Sequence, residues 1–154
     1  MKLKRIYNKD ISRYINPAVV VSELDEANIN QEIEEYGFTK DVINNIYKFL
    51  NAILNKKEGK TGIWISGYYG SGKSHFIKYL FYCLRQSTRE KAFEHYKAAF
   101  NSVKTDPLES ATLNNVALLH DKIKKLDIEE IIFNIDAVAG NETNINTITR
   151  VLYN

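Results

Sequence analysis

The sequence predicts an α/β fold, a parallel sheet flanked by helices and incomplete within this chain. Three observations predict it. Two short apolar runs of strand character, Gly62-Ile63-Trp64-Ile65-Ser66 and Ile131-Ile132-Phe133-Asn134-Ile135, sit between segments of helical periodicity. A glycine-rich loop, Gly67 to Ser74, joins the first run directly to a helix. Strands that alternate with helices build parallel sheets, because each return to a parallel strand needs a covering crossover. Two strands are few for such a sheet, so the sheet is expected to be cut short in these 154 residues.

The elements follow in order. Residues 1–38 are set apart as an N-terminal segment without an assigned structure, and residues 39–154 as the N-terminal part of the domain that holds the loop. Within the first segment, Ala18 to Val21 is a short β-branched run after Asn16-Pro17. An acidic stretch follows, with Glu23, Asp25, Glu26, Glu32, Glu34 and Glu35, and reads as a solvated face. From Thr39 the pattern is helical, with Val42, Ile46, Phe49, Leu50 and Ile53 on one side. Thr39 is suited to cap this helix and Asp41 to its positive end; Lys56, Lys57 and Gly59 suit its close.

After the loop, a helix from Lys73 carries Phe76, Ile77, Leu80, Phe81 and Leu84. The next carries Ala92, Phe93, Tyr96, Ala99 and Phe100, and Asp106-Pro107 breaks it. A further helix is expected over Thr112 to Lys125, with Leu113, Val116, Ala117, His120 and Ile123. Residues from about Asn144 read as helical again.

Bulk properties narrow the function classes. The net charge of +2 makes no case for nucleic-acid binding. A single cysteine, Cys83, allows neither an internal disulfide nor a thiolate metal cluster, and it reads as a small core residue. The three histidines have no metal-ligand spacing. The basic N-terminus is not followed by an apolar signal core, and no apolar run nears the roughly 20 residues that span a bilayer. A soluble, cytoplasmic protein is expected.

Gly67-Tyr68-Tyr69-Gly70-Ser71-Gly72-Lys73-Ser74 fits G-x-x-x-x-G-K-[ST]. A triphosphate is a set of charged tetrahedral groups. A loop wraps it only by turning backbone N–H groups inward, and glycine permits the dihedrals and the close approach. The helix from Lys73 offers free N–H groups and a positive dipole end. Lys73 can reach the β- and γ-phosphates, and the Ser74 hydroxyl is a suitable Mg²⁺ ligand. A chance match in a chain this long is about a one-in-a-hundred event on average residue usage. Gly67, Tyr68, Tyr69, Gly70, Ser71, Gly72, Lys73, Ser74 and His75 are therefore the nucleotide-binding candidates, with Ser74 the metal ligand. His75 has packing or solvent exposure as its weightier reading. Tyr68 and Tyr69 have three readings: nucleotide contact, a neighbouring subunit, or cover for the strand end.

Other candidates carry less. Asp136 closes the second apolar run as a Walker B acid would, but that acid generally lies on a later strand and no Glu follows here, so it reads as a turn cap. Arg85, Arg89 and Arg150 are arginine-finger candidates, with surface placement the weightier reading. Lys122, Lys124 and Lys125 suit a helix C-terminus rather than DNA.

The run Ile63 to Lys78, with its aromatic pair and Gly-Ser-Gly-Lys-Ser-His-Phe, resembles the Walker A region of the BrxC family, the large P-loop proteins of BREX anti-phage systems. Asp10-Ile11-Ser12-Arg13-Tyr14-Ile15-Asn16, Glu23-Leu24-Asp25-Glu26 and Phe133-Asn134-Ile135-Asp136 are similar to that family as well. The resemblance covers most of the chain. It implies an AAA-like P-loop NTPase fold, ATP and Mg²⁺ at Gly67 to Ser74, and action beside other BREX proteins, a DNA methyltransferase among them. It also implies that the Walker B acids lie beyond Asn154, so that this chain alone binds nucleotide but hydrolyses it poorly. A homo-oligomer is a further possibility for such a protein. No guanine-reading N-K-x-D segment is visible, which together with the resemblance favours ATP.

Two other functions compete. A small-molecule kinase would need an arginine-rich lid, against which the scarcity of arginine after Ser74 speaks. A non-catalytic scaffold or switch would use nucleotide binding to order a partner surface.

Overall fold

The computed structural model describes residues 25–55, 62–102 and 110–132. Five helices are found there: α1 Glu26–Glu35, α2 Lys40–Leu54, α3 Lys73–Leu84, α4 Arg89–Ser102 and α5 Ser110–Lys124.

α1 falls in the acidic stretch. Ile29 and Ile33, one turn apart, are buried and join the core formed by the other helices. Three residues past α1, Phe38 meets Tyr36 edge-on, and Tyr36 stacks on Tyr79 of α3 at 4.2 Å. Burial, with Cys83 nearby, pushes the Tyr36 hydroxyl up to about 12.

α2 starts where Thr39 predicts. Its hydroxyl accepts the Val42 N–H at 3.2 Å, and Asp41 sits in the positive first turn. The buried stripe is Ile43, Ile46 and Leu50. Val42 and Phe49 are only half-buried, so this helix has a second face beside its core face.

α3 is the central element. From Lys78 to Cys83 it is buried on every side. Two tyrosines in this core keep their hydroxyls paired with main-chain carbonyls: Tyr79 donates to Ala92 and Tyr96 of α4 to Ile43. Cys83 is fully buried, and burial pushes its thiol up, so it is an inert core thiol.

α4 and α5 close the assembly through Ala92, Phe93, Tyr96 and Phe100 against Val116, Leu119 and Ile123. Lys56, Lys57, Gly59, the Asp106-Pro107 break, Asp136, Arg150, and the elements expected at Ala18 to Val21 and beyond Asn144 lie outside the described residues.

Arg89 is a correction to the surface placement expected of the arginines. It is 6 % exposed, and its guanidinium donates to the carbonyls of Leu84 and Ile123. These carbonyls sit at the C-terminal ends of α3 and α5, where backbone acceptors and the dipoles favour a cation. Arg85 is half-buried, over the Phe81 ring and 3.8 Å from Glu130. Arg89 is held by these carbonyls and is not free to act on a neighbour's phosphates.

His120 sets a pH dependence. Its ring stacks on Phe93 at 4.3 Å, with the Lys97 ammonium 3.2 Å from Nδ1 and the Glu90 carboxylate 3.5 Å from Nε2. Lys124 and Asp121 are the other charged groups that act on it. Burial, then Lys97, lowers the imidazole below its ordinary 6.5. The folded state thus favours neutral His120. Its stabilising share is whole above the unfolded value and is lost as pH falls below 6.5 toward the folded value. The melting temperature should drop between about pH 7 and pH 5, and by a smaller step in His120→Gln. Equal drops in both proteins would refute this role.

The sheet is the main correction. Among the described residues there is no strand. Residues 62–68 run without regular structure, and Ile63 and Trp64 are 51 % and 91 % exposed. Of the second expected strand, Ile131 and Ile132 are described and irregular, with Ile131 78 % exposed. A strand exists only where a neighbour takes its N–H and C=O groups. Apolar content marked these runs, but no such neighbour stands beside them among the described residues. The described fold is helical, with a loop at its edge.

Candidate functional site

The glycines of the loop do what only glycine does readily. Gly70 and Gly72 have φ of +76° and +82°, in the left-handed region. At Gly67, an added Cβ would lie 2.8 Å from the Ser71 hydroxyl oxygen, so a larger residue there would need the Ser71 side chain to turn away. The Ser71 N–H closes this turn on the Tyr68 carbonyl at 3.2 Å.

Gly72 is the N-cap of α3, and the first helical bond runs from the Phe76 N–H to its carbonyl at 2.9 Å. The amides of Lys73, Ser74 and His75 precede that bond and have no partner four residues back inside the helix. They open onto the loop with the positive end of the dipole behind them. The Lys73 ammonium spans the loop, donating to the carbonyls of Gly67 at 2.9 Å and Tyr68 at 2.7 Å.

Beside the loop lies a cavity of about 1050 Å³. Of the sequence candidates, Gly67, Tyr68, Ser71, Gly72, Lys73 and His75 line it. Tyr69, Gly70 and Ser74 stand outside its lining, and all three are exposed. His75 is exposed as well. α1 and α2 supply the opposite side, through residues that include Glu32, Asn45 and Phe49.

Glu32 was not singled out by the sequence. Its Oε1 accepts from the Lys78 ammonium at 2.8 Å and its Oε2 from the Tyr82 hydroxyl. The Glu32 side chain is 15 % exposed and that of Lys78 only 2 %. Burial, then the bond to Glu32, raises the Tyr82 hydroxyl, which therefore stays a donor. The solvated-face reading of the acidic stretch holds for the exposed Glu26 and Glu34 but not for Glu32. A signal was present: Ile29, Glu32, Ile33 and Tyr36 fall on one helical stripe. Nothing local pointed to Lys78, whose partner is 46 residues away. A second tie runs from Lys91 of α4 to Asn30 and Glu34 of α1 at 3.0 and 2.6 Å.

The arrangement suits a phosphate group. It combines two left-handed glycines, first-turn amides and one lysine. Among the described residues no group of three or more His, Cys, Asp or Glu is placed to hold a metal ion. Among the described residues no helix is long and apolar enough to cross a membrane.

No solved structure matches the chain significantly. The sequence pattern of the KAP family P-loop domain matches residues 39–148, more than two thirds of the chain. With a phosphate-type loop at the mouth of a cavity, this nucleotide-binding chain belongs to the KAP family of P-loop domains.

Proposed function

We propose that the chain binds ATP with Mg²⁺ at Gly67 to His75, as a segment of a BREX-type ATPase in phage defence. The observation that carries the binding reading is the Lys73 ammonium held across a loop in which Gly70 and Gly72 are left-handed. Lys73 would pass from the loop carbonyls to the β- and γ-phosphates, and the first-turn amides of α3 would bind the phosphate oxygens. The Ser74 hydroxyl would hold Mg²⁺, which offsets the charge of the phosphates when bound. The resemblance of Ile63 to Lys78 to the BrxC family supports the biological setting, including other BREX proteins as partners.

Hydrolysis would need a free polar group that orients the attacking water or takes its proton. Glu32 is not that group, since both of its oxygens are engaged. The test is titration calorimetry of ATP–Mg²⁺ into this chain and into Lys73→Ala. Binding by the parent and its loss in the variant support the site. Equal binding by both proteins would sink it.

A further inference from the structure

The end of α3 that meets the loop has little hold of its own. Ser74, His75 and Ile77 are exposed, and Lys73 and Phe76 are only half-buried. From Lys78 onward the helix is gripped. A helix transmits position as a rigid element, so the first-turn amides stand where that grip puts them, about 6 Å along the axis from Lys78. Three α3 side chains take partners from residues 32–38. Lys78 and Tyr82, four residues apart, hold the two oxygens of the Glu32 carboxylate. The Tyr79 ring meets Tyr36, stacked at 4.2 Å, and Phe38, edge-on at 5.2 Å. All of these partners precede residue 39, where the matched family pattern begins. The two kinds of contact fix different things. Apolar surface is held by area, without direction, and lets a helix slide or turn at small cost. A carboxylate that receives an ammonium and a hydroxyl from successive turns sets both the rotation and the axial position of α3.

We propose that Glu32 is a positioning residue for the phosphate loop, acting through Lys78 and Tyr82, an inference that rests on the nucleotide reading above. Its carboxylate sets the register of α3, and with it the aim of the Lys73, Ser74 and His75 amides. Whatever displaces α1 must break these bonds or carry α3 along. The segment ahead of the family pattern is in this way an input to the phosphate site. Charge alone gives the opposite sign. A carboxylate beside the cavity repels phosphates, so its neutralisation would by itself tighten their binding. Loss of positioning weakens it.

Titration calorimetry on the full chain tests this with two probes, ATP–Mg²⁺ and tripolyphosphate–Mg²⁺, which carries phosphates alone. It is run at a temperature where thermal unfolding shows each protein to be folded, so that affinity reports the site and not global stability. Glu32→Gln keeps the side-chain shape and removes its charge, and should bind both probes about 5-fold or more weaker than the parent. Tyr82 stands outside the cavity lining, so Tyr82→Phe reaches the ligand only through the helix. It should bind both probes about 3-fold weaker, and it decides the matter should Glu32→Gln not fold. Lys91→Ala frees α1 from a tie to α4 without touching α3, and should bind like the parent. Glu32→Gln or Tyr82→Phe binding as tightly as the parent or tighter, or an equal loss in Lys91→Ala, would overturn the positioning role and leave the phosphate site standing. A parent that binds neither probe would overturn both readings.

Discussion

Lys73→Ala is expected to weaken ATP–Mg²⁺ binding by about 100-fold or more. A hydrogen bond to a charged group is worth about 1.5–3 kcal/mol, and Lys73 would serve two phosphates at once. A loss near 3 kcal/mol corresponds to roughly 150-fold in affinity. The same change also removes the brace across the Gly67 and Tyr68 carbonyls. Those carbonyls belong to exposed residues and can turn to water, so the fold itself should lose little. Thermal unfolding of the variant in the absence of nucleotide separates the two effects. A large drop in melting temperature would mean that lost binding reports a collapsed loop, and the phosphate role of Lys73 would then lack support.

Lys78→Met is expected to cost about 3 kcal/mol of stability, the lower end of the range for breaking a buried ion pair. Glu32 would keep the Tyr82 hydroxyl but lose its counter-charge at a site only 15 % exposed. For a chain of this size the melting temperature should fall by about 6–12 °C. The double variant Glu32→Gln with Lys78→Met should recover part of the loss, because an uncharged amide is easier to bury than an unpaired carboxylate. Urea unfolding of the single and double variants measures the coupling. If the single variant lay within about 0.5 kcal/mol of the parent, the pair would be no more than a surface contact.

Four of the five described helices, α2 to α5, were legible because each repeats a local rule, whereas α1 lay hidden in the acidic stretch of the segment left without an assigned structure. Thr39 caps α2, and Ala92, Phe93, Tyr96 and Phe100 of α4 are buried as their spacing predicts. The loop was legible because its motif states its own chemistry. The strands were not. Ile63, Trp64 and Ile65 have strand composition, but a strand is a property of a pair, and composition is blind to the partner. The same limit hid Glu32 and Lys78. Each looks like an ordinary charged residue until the fold brings two distant helices together. Ile43 and Leu119 were passed over for a smaller reason: each widens a stripe whose marked members Ile46, Leu50, Val116, His120 and Ile123 are indeed buried, while the marked Val42 and Phe49 are half-buried and Ala117 is exposed.

Trp64 has a consequence of its own. It is the single tryptophan of the chain, it lines the cavity, and it is 91 % exposed. The protein therefore carries a built-in optical reporter at the place where a ligand would enter. Its emission should be that of a wetted indole in the free chain. It should move to shorter wavelength when a nucleotide displaces water from the cavity, and an unchanged spectrum at saturating ATP would place the ligand away from this wall. Occupancy could then be followed in real time with neither a label nor an engineered chromophore.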